Sequence, residues 1–219
     1  DTIREFVSGA GLCLLLDRYQ YNYGSAHVGR RDSPVAIRCD RIGAKPIPAP
    51  RVLPQISWRR GLDLCPIDIT QEDQADWLLA LVWVDHIDRR TRLRAAIELA
   101  RHDPPQVLRG DLVHDLPPLV ESAPTSATLV VFHSGVLSYV RPDRRDSFAA
   151  VLKACSRSRD IVWISNERPR VIPALEKMAP VRQELRFLLG RTTLSGGAVH
   201  RELLALGHFH GRDLEWLAG

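Results

Sequence analysis

Apolar residues recur along the chain in two rhythms. Short apolar runs bounded by Gly, Pro or Asp read as buried strands, and runs with a spacing near 3.6 read as amphipathic helices. Residues 2–7 (TIREFV) form the first strand-like run. The small-residue turn Ser8-Gly9-Ala10-Gly11 and the apolar run Leu12 to Leu16 follow it. Further strands are predicted at 56–62, at 107–108 and up to Asp111, and at 128–132 and 160–165, with Leu129 to Phe132 expected in the centre of the sheet. Between them, a helix is expected after Thr70 as N-cap, with Glu72 and Asp73 in its first turn where the helix dipole favours negative charge. A second spans about 88–101, with Leu93, Ala96, Ile97 and Ala100 at i, i+3, i+4 and i+7. Two more are expected at 116–121, opened by Pro117 and Pro118, and at 142–156. The chain closes on a strand pair, 184–189 and 202–206, joined through Ser195-Gly196-Gly197.

Residues 17–55 fit neither rhythm well. Tyr19, Tyr21 and Tyr23 alternate, residues 35–39 read as a strand, and 45–54 is proline-rich. This region is expected to be an inserted hairpin and loop. Strands alternating with helices, then a final strand pair, predict one α/β domain over 1–219. The expected architecture is a Rossmann-like three-layer sandwich: a mostly parallel sheet with an antiparallel C-terminal strand pair.

Composition changes this picture little. The chain has 219 residues, enough for one continuous core, with 45% hydrophobic and 26% charged residues. No apolar run approaches the roughly 20 residues of a membrane span. The opening residues show no secretory signal, and the absence of an initiator Met points to a piece of a longer protein. The net charge is +4, but acidic residues are interspersed throughout, which argues for a solvated mixed-charge surface and against nucleic acid as a partner. Cys13, Cys39, Cys65 and Cys155 are spread out with no C-x-x-C, as expected of free thiols in a cytoplasmic protein.

Three short motifs carry the candidate chemistry, each after a predicted strand, at the edge where open α/β sheets bind ligands. In the first, Glu5 to Gly11, glycines let the backbone approach a ligand and a helix N-terminus favours anionic groups. In the second, Gly61-Leu-Asp63-Leu-Cys-Pro66, a carboxylate can accept from both ribose hydroxyls. In the third, Arg109-Gly110-Asp111, a carboxylate can accept from an adenine amino group. Taken singly, each reads equally well as a turn or a helix cap.

Together the motifs resemble the class I S-adenosylmethionine-dependent methyltransferases. Glu5 to Gly11 looks like their first motif, Gly61 to Pro66 is similar to their G-x-D-x-S-P segment, and Gly110-Asp111 to the G-D after their third strand. Residues 130–139 (VVFHSGVLSY) resemble their fourth strand and its tail. A narrower resemblance is to an uncharacterised bacterial family. It rests on Glu5 to Leu14 running into Asp17-Arg18-Tyr19, on Gly61 to Asp68, Val82-Trp83-Val84 and Val130-Val-Phe-His133, and on His208-Phe-His-Gly211 before Glu215-Trp216. Val7 and Cys13 stand where that family has Gly and Asn, and the helical segment it carries upstream of the first motif is missing here.

The resemblance implies S-adenosylmethionine as cofactor. Glu5, Gly9 and Gly11 would shape its methionine side, Asp63 would hold the ribose and Asp111 the adenine. His133 is the candidate acid/base group beside a methyl acceptor, for which a small molecule is favoured; the reading leaves the oligomeric state open. The alternative is a non-catalytic module that binds a ligand or a protein, favoured by Val7 and the missing segment. No metal is expected: His200, His208 and His210, with Asp213 and Glu215 nearby, do not make a convincing ligand set.

Overall fold

A computed structural model describes residues 11–24, 26–180, 186–208 and 211–219. The expected strand at 2–7, with Glu5 and Gly9, lies outside the described residues, as do His210 and residues 184–185 at the start of the closing strand pair.

The described chain opens with a 3-10 helix, Leu12–Arg18. Four three-residue strands follow: β1 (Gln20–Asn22), β2 (His27–Gly29), β3 (Ala36–Arg38) and β4 (Asp40–Ile42). Then come β5 (Gly61–Asp63), α1 (Glu72–Ala80), α2 (Ile87–Arg101), β6 (Val107–Arg109) and α3 (Leu116–Ser122). The last part runs β7 (Leu129–Ser134), α4 (Pro142–Cys155), β8 (Ile161–Glu167), α5 (Pro173–Glu176), β9 (Arg186–Ser195), β10 (Ala198–His208) and β11 (Asp213–Trp216). Helix α1 starts after Gln71 rather than Thr70; Thr70 instead gives its N–H and hydroxyl to the Asp68 carboxylate.

The strands form three sheets, not the mostly parallel Rossmann-like sandwich expected from the alternation. The largest has six strands in the order β4-β11-β10-β9-β8-β7. Only its two outer pairs, β7–β8 and β11–β4, are parallel; the three inner pairs are antiparallel. A three-stranded sheet, β2-β1-β3, and a parallel pair, β5-β6, complete the set. The antiparallel closing pair was expected, but β9 also runs antiparallel to β8 and β10 to β11, so the pair lies inside the sheet, and β5 and β6 pair apart from it. A parallel neighbour needs a long crossover, usually a helix, whereas a two-residue turn can only make a hairpin. Gly196 and Gly197 hold the positive φ values of 55° and 81° that such a turn demands, and the long strands β9 and β10 pair through it. The 128–132 run was expected as a central strand. Among the described residues its strand, β7, stands at the end of its sheet.

The apolar side chains gather in three clusters. One packs Leu12, Leu15 and Tyr19 against α1 and α2; α2 contributes the predicted stripe Leu93, Ala96, Ile97 and Ala100. Another lies between α3, α4 and the β7–β8 pair, around Phe148, Leu152, Ile161 and Trp163. A third joins α5 to the β9–β10 hairpin. No helix among the described residues is long and apolar enough to cross a membrane.

Candidate functional site

Strands β5 and β7 wall a cavity of about 210 Å³ between their two sheets. Gly11, Asp63 and His133 all line it, with Trp58, Leu137 and Phe148 among the apolar neighbours. Three of the residues singled out from sequence therefore converge. Asp111 does not line this cavity.

Gly11 adopts φ +66°, and a Cβ there would stand 2.6 Å from Val107 Cγ2 and 2.9 Å from Pro105 Cγ. Its need for glycine is met by chain packing as well as by any ligand. Asp63 ends β5, and its Oδ1 accepts the Cys65 N–H at 2.8 Å, the hydrogen bond of a tight Asx turn. It is half-buried on the cavity wall, and its other carboxylate oxygen takes no hydrogen bond from the described residues.

Asp111 lies at the same carboxyl edge of the β5–β6 pair, and one of its carboxylate oxygens is taken. Oδ1 accepts the N–H groups of Val113 and His114 at 2.8 and 3.1 Å and pairs with Arg144 at 2.5 Å. Burial by itself would raise this carboxyl; the Val113 N–H, the Arg144 guanidinium and the His114 N–H outweigh it and hold the group below the usual carboxylate range.

His133 is held from both sides. The Trp163 indole N–H, a pure donor, gives its hydrogen to Nε2 at 2.9 Å. Nε2 is then the bare nitrogen, and Nδ1 carries the proton it donates to Glu167 Oε1 at 2.8 Å. Phe148 meets the imidazole edge-on, with centroids 5.9 Å apart. For His133 to take a proton from a ligand, the Trp163 bond must break.

Glu167, which the sequence reading did not single out, is the centre of this arrangement. Its side chain is 2% exposed. Oε1 also accepts the N–H groups of Val136 and Leu137, both at 2.9 Å, and Oε2 accepts from the Ser138 hydroxyl at 3.0 Å. The carboxylate at the end of β8 thus pins the loop after β7. Burial pushes its pKa up, but the His133 hydrogen bond, then the Leu137 N–H and Ser138 hydroxyl, push harder, and the net shift is downward. The signal was in the alternation. Ile161, Trp163 and Ser165 face inward at every second position, and Glu167 is next in that series.

A second cavity, about 530 Å³, adjoins the first and shares Cys13, Leu14, Trp58 and Arg60 with it. Burial pushes the Cys13 thiol up to about 12, so at neutral pH this shared wall is a neutral thiol and no nucleophile. Asp17 and Arg59 form a two-point ion pair on the rim at 2.9 and 3.0 Å. The neighbouring Tyr19 is buried and donates its hydroxyl to the Leu12 carbonyl. The Asp17-Arg18-Tyr19 motif is therefore accounted for by folding. Among the described residues no group of three His, Cys, Asp or Glu side chains is placed to hold a metal ion.

The family model described as "Uncharacterized protein conserved in bacteria (DUF2332)" matches residues 3–216. No curated protein and no solved structure matches the chain. The family description assigns no activity, but the match spans nearly every residue, and the chain belongs to this bacterial family, DUF2332.

Proposed function

We propose that the first cavity binds the ribose end of S-adenosylmethionine, with Asp63 accepting hydrogen bonds from the ribose hydroxyls. The observation that supports this is the convergence of Gly11, Asp63 and His133 on one cavity from three separate stretches of chain. The proposal stands on the site and not on the fold. The cofactor supplies an electrophilic methyl group. The chain supplies position: Asp63 fixes one end of the ligand, apolar walls around Leu62 and Phe148 exclude water, and the loop tied to Glu167 shapes the floor. Asp111, for which the resemblance implies the adenine role, does not line this cavity, and its Oδ1 is paired with Arg144.

A second reading, a non-catalytic ligand-binding module, is favoured by one observation: both ring nitrogens of His133 are already bonded inside the protein. Calorimetric titration with S-adenosylmethionine and its demethylated product tests the binding that the first reading requires. Saturable binding is expected. Asp63→Ala should weaken it by about 1.5–3 kcal/mol, the range for hydrogen bonds to a charged group, or roughly tenfold to more than a hundredfold. A folded protein showing no saturation at millimolar cofactor would sink the cofactor reading and leave the module.

A further inference from the structure

The second cavity has a charge character that the first does not share. Its lining is mainly apolar, with Tyr21, Trp58 and Phe132 as aromatic walls. Val130 and Phe132 of β7 are 47% and 38% exposed, and both border this space. Among the described residues, three arginines, Arg59, Arg60 and Arg159, line it against a single carboxylate, Asp17. Asp17 is taken by Arg59. Arg159 gives its Nη hydrogens to the carbonyls of Val120, Ala123, Pro124 and Ala127. Its Nε is buried without a partner among the described residues. Those carbonyls satisfy hydrogen bonds but leave its charge in place.

Arg60 is the more telling of the two. Its guanidinium carbon lies 5.5 Å from the Trp58 ring centroid, and Nη1 donates to the Arg59 carbonyl at 2.8 Å. No carboxylate of the described residues comes within 4.0 Å of it. It lines both cavities, at their junction. A half-buried cation on an aromatic face, at the junction of two largely apolar cavities, suits an anion carried by an apolar body.

We propose that the second cavity binds an apolar monocarboxylic acid, its hydrocarbon or aryl part against Trp58, Tyr21 and Phe132 and its carboxylate on Arg60. The volume suits such a ligand, since small-molecule pockets run from about 300 to 1,000 Å³. The carboxylate would lie at the end nearest the first cavity and the apolar part would fill the space under β7. This inference is independent of S-adenosylmethionine, because the acid is to be bound without it.

The test uses a matched pair of probes, 3-phenylpropionate and 3-phenylpropionamide, followed by calorimetry and tryptophan fluorescence on the full chain without cofactor. The acid should bind at least about tenfold more tightly than the amide, and that gap should narrow as salt is raised. Arg60→Gln should bring the acid down to the amide's affinity and leave the amide unchanged. Arg60→Lys should keep part of the gap, and Lys153→Gln, on exposed α4 surface lining neither cavity, should keep all of it. Equal affinities for acid and amide in the wild type would overturn the proposal, as would an acid preference that survives Arg60→Gln. The wild-type comparison decides even if Arg60→Gln fails to fold. Acid binding in a protein that ignores S-adenosylmethionine would uphold this site while removing the cofactor reading.

Discussion

Replacing Glu167 with alanine is expected to lower the stability of the chain by about 3–5 kcal/mol, because several buried donors lose their acceptor at once and each unsatisfied one costs about 1–3 kcal/mol. Four donors converge on that carboxylate: the His133 Nδ1–H, the Val136 and Leu137 N–H groups and the Ser138 hydroxyl. Alanine leaves all four in an interior where water does not replace the acceptor. For a chain of this length the loss corresponds to a fall of about 6–20 °C in melting temperature, measurable by calorimetry. Glu167→Gln separates charge from hydrogen bonding. The amide oxygen can take over the three bonds of Oε1, and the NH2 can donate to Ser138, so its loss should be smaller. The pH dependence has a definite sign. The native pKa of Glu167 is below the ordinary 4.5, so its charge stabilises the fold above that pH, and the benefit is lost as pH falls through the native value. The stability gap between wild type and Glu167→Gln should therefore close in acid. A gap that stays constant from neutral pH down to the acid limit would show that the charge contributes nothing.

Gly11→Ala should cost about 2–4 kcal/mol, combining the left-handed backbone penalty with overpacking. The added methyl would lie 2.6 Å from Val107 Cγ2 and 2.9 Å from Pro105 Cγ, both held by β6 and the turn before it. Because Gly11 also borders the first cavity, a loss of ligand binding alone would not distinguish a packing role from a ligand-facing one. A double-mutant cycle does. Val107→Ala removes the nearest obstructing atom, so Gly11→Ala should cost less in that background than in the wild type. Costs that simply add would mean that the backbone angle, and not the Val107 contact, fixes glycine here.

The chain's elements were largely legible and its pairing was not. The apolar runs near 129–132 and 161–165 mark β7 and β8, and the Leu93, Ala96, Ile97, Ala100 spacing marks α2, because burial on one face imposes a local period. Which strand lies beside which is set by connection length and turn geometry between distant segments. The Gly196-Gly197 turn was visible, but not that β9 and β10 would run to ten and eleven residues and fill the middle of the sheet. In the site, Asp63 was legible as a carboxylate closing a strand. The commitment of Asp111 to Arg144 was not, since the two are 33 residues apart and meet only when α4 docks. Glu167 was missed because the strand was ended at Ser165, two residues short.

Strand β4 lies parallel to β11, pairing Asp40 with Asp213, and Lys45 reaches across to the Leu217 carbonyl 172 residues away. The β9–β10 hairpin closes over two residues; the β4–β11 ladder must close a loop of about 170, at an entropic cost that grows with the logarithm of length. Three-residue β4 has few hydrogen bonds with which to offset that cost until β9, β10 and β11 already stand as a template. The order of assembly is thus written into the strand order: hairpin first, β11 next, and the early part of the chain last onto the outer edge. Pulse-labelling of backbone amides during refolding should find β10 protected before β4, and simultaneous protection would contradict this order.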